Sequence, residues 1–68
     1  MKPYFFYVRR DDRSASDLHI MMFENDGQAR EEAAVLLGEQ PQRVHVEVWD
    51  GDRAVGEVDR PGVPPQGL

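Results

Sequence analysis

The sequence contains no cysteine. That excludes a disulfide framework and a thiolate-ligated zinc site, and it suits a reducing compartment. Long hydrophobic runs are also missing. The opening run, Tyr4 to Val8, stops at Arg9-Arg10-Asp11-Asp12, whereas a membrane span needs about 20 apolar residues and a signal peptide a longer apolar core than this. The expectation is therefore a soluble, cytoplasmic protein with no membrane partner. Basic charge is in deficit: 8 Lys and Arg face 13 Asp and Glu, for a net charge of −5. An acidic chain repels phosphate backbones, which argues against nucleic acid as its partner. There is no phosphate-cradling glycine loop, and Ser14 and Ser16 lack a Gly-x-Ser-x-Gly setting. The expectation is a non-enzymatic protein without a cofactor.

The 68 residues allow one domain. A chain this short buries only about 60% of its unfolded surface, so it needs tight packing or a partner to be stable. Tyr4 to Val8 is aromatic and β-branched and predicts a first strand. A polar loop over 9–16 follows, then an apolar second strand, Leu18 to Phe23. Asn25 with Gln28 three residues on resembles a capping box, with Asp26 as a competing cap. From Gly27 the residues are good helix formers, and Ala29, Ala33, Leu36 and Leu37 share one helical face. Gly38 suits a left-handed helix end, and Pro41 blocks continuation. Val44, Val46 and Val48 alternate with Arg43, His45, Glu47 and Trp49, the clearest strand pattern in the chain. Asp50-Gly51 is a hairpin turn and Arg53 to Val58 a fourth strand. The predicted fold is α+β, in the order β-β-α-β-β, with a four-stranded sheet and one helix on one face. The domain is expected over 1–58, with a flexible Pro/Gly-rich tail over 59–68.

One helix covers one face of such a sheet. The three valines of the third strand should meet the helix, but the first two strands are apolar on both sides. A half-exposed sheet normally alternates apolar-in with polar-out. Phe5, Tyr7, Met21, Phe23 and Trp49 are therefore expected to line up as an exposed patch, and patches of this kind mark interaction sites. Burying each large side chain is worth roughly 1.5–3 kcal/mol, which predicts a homodimer or higher oligomer packed sheet to sheet, or an unidentified protein partner. The competing reading is that the 9–16 loop or the tail covers the same side chains.

Two other functions fit parts of the sequence. The aromatics could stack bases in a single-stranded nucleic-acid-binding module, with Arg9, Arg10, Arg13 and Arg43 touching phosphates. Asp11 and Asp12 interrupt those arginines. Alternatively Asp17, His19, His45 and Glu47 form a metal or acid–base site, if the second and third strands are neighbours. The i, i+2 spacing is common in any alternating strand, so structural histidines are the simpler reading. Asp50-Gly51-Asp52 lacks the downstream ligands of a calcium loop and reads as turn chemistry.

The Tyr4-Phe5-Phe6-Tyr7-Val8 opening, the Ala29 and Ala33 helix, and the closing Val44-His-Val-Glu-Val-Trp-Asp-Gly51 resemble a family of short bacterial proteins. That family is a domain of unknown function common in alphaproteobacteria, with a Tyr-Phe-Phe-type first strand. The resemblance spans most of 4–58, although the family's Asp-x-x-Gly ahead of the second strand is absent here. It implies a bacterial, cytoplasmic protein and carries over no site residues.

Overall fold

Two hairpins and a connecting helix account for all the regular structure in the computed structural model, which describes residues 1–11 and 16–60. The elements are β1 (Lys2–Arg10), β2 (Ser16–Phe23), α1 (Asp26–Glu39), β3 (Arg43–Asp50) and β4 (Arg53–Asp59). The predicted β-β-α-β-β order and α+β class are observed. The sheet order is β2-β1-β3-β4, and every neighbouring pair is antiparallel. β2 and β3 therefore run in the same direction on either side of β1, and α1 carries the chain across the sheet between them.

The first hairpin is longer than its apolar residues suggest. Val8 pairs with Asp17 and Arg9 with Ser16, so the ladder continues into residues expected to be loop. Polar side chains are tolerated there because a strand can direct them to water while its backbone stays paired. Residues 12–15 of that loop lie outside the described residues.

At the start of α1, the Asn25 side chain accepts the Gln28 N–H at 2.9 Å. The Gln28 side chain in turn accepts the Glu24 N–H at 2.9 Å, a capping box shifted by one residue. Ala29, Ala33, Leu36 and Leu37 are buried, as their spacing predicts. The other end departs from expectation. Gly38 lies inside the helix, and Gln40 closes it in an extended conformation. Gly51, at the β3–β4 turn, is the glycine with positive φ among the described residues (φ 62°).

Two arginines from outside the helix bond to the Leu36 and Leu37 carbonyls in its last turn instead. Arg43 is 6% exposed and donates to the Leu36 carbonyl at 2.8 Å and to Glu39 Oε1 at 3.2 Å. Arg60 donates to the carbonyls of Leu37, Gln40 and Arg43. A helix C-terminus presents unpaired carbonyls and partial negative charge, so guanidinium donors suit it. β4 thus runs to Asp59, and Arg60 is tied to the end of the helix. From residue 61 the expected tail lies outside the described residues.

The core lies between α1 and one side of the sheet. Tyr4, Phe6, Val8 and Val46 are fully buried, and Val48 is 1% exposed. Gly56 on β4 leaves room for the stem of Arg30, which a Cβ there would meet at 3.1 Å. No helix among the described residues is long and apolar enough to cross a membrane.

Candidate functional site: the open face of the sheet

Pairing register decides which side chains share the face that α1 leaves bare. Phe5 pairs with Ile20 and Trp49, and Tyr7 with Leu18 and Glu47, while Pro3 pairs with Met22. On β4, Glu57 lies opposite Glu47 and Asp59 opposite His45. The open face therefore has two halves. β2 and β1 contribute Leu18, Ile20, Met22, Phe5 and Tyr7. β3 and β4 contribute Trp49, Glu47, His45, Glu57 and Asp59.

The expected patch is corrected at β2. Phe5, Tyr7 and Trp49 do meet on the open face, but Met21 and Phe23 lie on the helix-covered side. Met21 pairs with Tyr4, and the Phe23 ring packs 6.2 Å from Tyr4 and 6.1 Å from Phe6, centroid to centroid. Both are partly buried against the core. Leu18, Ile20 and Met22, 51%, 57% and 50% exposed, take the open side, beside Tyr7 at 46%. β2 is apolar on both sides, so its composition does not say which side faces inward; a one-residue change of register exchanges them.

The constellation of Asp17, His19, His45 and Glu47 does not assemble. β1 separates β2 from β3. Asp17 and His19 pair with Val8 and Phe6 and share their covered side, whereas His45 and Glu47 alternate with the buried valines and face outward. His45 has other partners. Its Nδ1 lies 2.5 Å from Asp59 Oδ1, and its Nε2 lies 3.4 Å from Glu47 Oε2 and 3.8 Å from Glu57 Oε2. Trp49 Nε1 donates to Glu47 Oε1 at 3.1 Å, and Arg9 Nη2 is 3.7 Å from Glu47 Oε2. Glu57 and Asp59 were missed from sequence; the signal lay in the cross-strand pairing of two acidic residues on β4 with His45 and Glu47.

Beside Tyr7 and Trp49 is a hollow of about 400 Å³, lined also by Glu47, Gly51 and Asp52. It is shallow, so a small molecule would leave much of its surface in water, unlike the 70–90% burial typical of ligand pockets. The acidic side chains around these rings also oppose a phosphate backbone.

A second cluster of charges, an ion-pair network, lies at the start of α1. Arg53 donates two hydrogen bonds to Asp26, at 3.0 and 3.1 Å, and one to Asp50 at 2.9 Å. Tyr4 Oη donates to Asp26 at 2.8 Å, and Lys2 to Asp50 at 2.8 Å. The Arg53 guanidinium, aided by the Tyr4 hydroxyl, holds the Asp26 carboxyl down at about 2. Lys2, then Arg53, lowers Asp50, and Asp50 in turn raises Lys2. Desolvation, then the Asp26 hydrogen bond, raises Tyr4. Each carboxylate has its cation, so the network is a clamp joining α1 to both hairpins.

No family model matches the chain, and neither a curated protein nor a solved structure matches it.

Proposed function

We propose that this chain is a small non-enzymatic interaction module of the bacterial cytoplasm that self-associates through its open sheet face. The observation that carries this reading is the run of Tyr7, Leu18, Ile20 and Met22, each about half exposed, continuous with the half-buried Phe5 and Trp49. The bacterial, cytoplasmic setting rests on the family resemblance and on the absence of cysteine.

A second copy is the occupant that the dimensions suit. Four strands about 4.8 Å apart, each about seven residues long at about 3.3 Å per residue, make a face near 440 Å². Two such faces bury about 900 Å² before side-chain relief is added, close to the 1,000 Å² floor for a specific interface. The half-exposed side chains tell the same story. Completing the burial of Tyr7, Leu18, Ile20 and Met22 contributes about 0.8–1.5 kcal/mol each, or about 6–12 kcal/mol across two copies. Association costs about 4–15 kcal/mol. The expected dimer is weak and reversible.

Sedimentation velocity over a concentration series tests this. The wild type should exceed the 7.8 kDa monomer mass as concentration rises, with Trp49 fluorescence following, and Ile20→Lys should remain monomeric. A wild type that stays monomeric to its solubility limit overturns the reading.

A further inference from the structure

We propose that His45, Glu47 and Glu57 form a binding site for one divalent transition-metal ion of the zinc class, on the β3–β4 half of the open face. One ligand atom from each lies within 4.8 Å of the others. Of the distances from His45 Nε2 to the two carboxylate oxygens, 3.4 Å to Glu47 matches what a tetrahedral ion requires and 3.8 Å to Glu57 slightly exceeds it. With metal–ligand bonds of about 2.1 Å, ligand atoms stand about 3.4 Å apart. Glu57, whose side chain is 64% exposed, has the freedom to make the small adjustment.

The hydrogen bonds around the cluster aim its lone pairs inward. Asp59 is a carboxylate and accepts, so His45 Nδ1, 2.5 Å away, is the donor. In the neutral ring this leaves the Nε2 lone pair facing Glu47 Oε2 and Glu57 Oε2. A carboxylate that orients a histidine through its far nitrogen is the usual support of a metal-bound imidazole. Trp49 Nε1 does the same for Glu47: it occupies Oε1 at 3.1 Å and leaves Oε2 for the cluster. Three acceptors thus converge with no hydrogen between them when His45 is neutral, an arrangement that a cation would satisfy. Arg9 supplies part of it, 3.7 Å from Glu47 Oε2, but forms no ion pair with Glu57. Imidazole with two carboxylates is a donor set that suits zinc and its neighbours better than magnesium or calcium.

The site is complete within one chain, so it does not rest on self-association. The His45 side chain is only 13% exposed, which fixes the nitrogen, while the mouth stays open for water as a fourth ligand.

Calorimetric titration of zinc chloride into the chelator-treated full chain at neutral pH tests the assignment. One ion should bind per chain, with cobalt giving a visible absorption band from an ordered coordination sphere and magnesium giving no heat. Glu57→Gln and His45→Gln should each weaken zinc at least about ten-fold, and Asp59→Asn, which removes support rather than a ligand, about ten-fold. Glu57 is exposed, so its variant keeps the fold, as circular dichroism will show, even if a His45 variant loosens the sheet. No saturable zinc binding by the wild type overturns the proposal. So does zinc binding that Glu57→Gln leaves unchanged, and so does an imidazole that stays doubly protonated in excess zinc, since a proton then fills the place assigned to the metal.

Discussion

The two sides of β1 differ by one residue in phase and by almost everything in environment. Tyr4, Phe6 and Val8 are fully buried under α1, while Tyr7 on the opposite side is 46% exposed. β2 repeats the contrast with no help from polarity: Met21 and Phe23 pack on the core, and Leu18, Ile20 and Met22 do not. What separates the sides is the helix. α1 supplies a second apolar surface to one of them, and an apolar side chain stabilises a fold only in proportion to the area it removes from water. The covered side therefore holds the monomer together, and the open side leaves apolar area in water.

The largest expected effect lies on the covered side. Phe6→Ala removes a fully buried ring and should cost about 3–5 kcal/mol. A 68-residue domain has a total stability of about 3–10 kcal/mol, so this variant should be mostly unfolded by circular dichroism at room temperature. A folded Phe6→Ala protein would break the comparison at its stronger end.

The supports that hold α1 against that side come next. Arg43→Met keeps much of the buried stem but removes the donor to the Leu36 carbonyl. Leaving that acceptor unpaired should cost about 1–3 kcal/mol, read as a lower urea midpoint with an unchanged slope. At the other helix end the test is acid. The Asp26 carboxyl falls to about 2 in the folded chain from an ordinary 3.8. Its contribution is complete above about 3.8 and is lost as pH drops from there through about 2. Wild-type stability should decline across that window, and Asp26→Asn should flatten the decline while lowering stability at neutral pH. An acid limb of equal slope in both proteins would remove the clamp from the account.

The smallest effect on the monomer belongs to the open side. Ile20→Ala should change monomer stability by no more than about 0.5 kcal/mol, measured at dilution, yet weaken self-association. Equal loss of stability from Ile20→Ala and from a core truncation would show that the open side is already enclosed.

Much of this was legible in the residues. Val44, Val46 and Val48 alternate with polar neighbours, so their direction admitted one answer. Ala29, Ala33, Leu36 and Leu37 fall on one helical stripe, and Asn25 caps the helix it precedes. Trp49 could be assigned because β3 offered a distinguishable inner face; β1, apolar on both sides, did not, and Phe5 and Tyr7 take the open side through their pairing with Trp49 and Glu47. β2 offered none, and the assignment of Met21 and Phe23 to the open side failed there. Gly38 looked like a helix terminator because glycine permits positive φ, but permission is not a requirement, and Arg43 and Arg60 bond to the Leu36 and Leu37 carbonyls instead.

By itself the sequence determined the number, kind and order of the elements, since these follow from local periodicity, capping and turn chemistry. Tertiary structure alone decided which side of β2 is bare, which arginines close the helix, and that His45 meets Glu47, Glu57 and Asp59 rather than Asp17 and His19. Those outcomes depend on strand order and register, and register is set by pairing between segments far apart in the chain. Where both sides of a strand are apolar, either phase satisfies the local pattern equally well, and only the neighbouring strands choose.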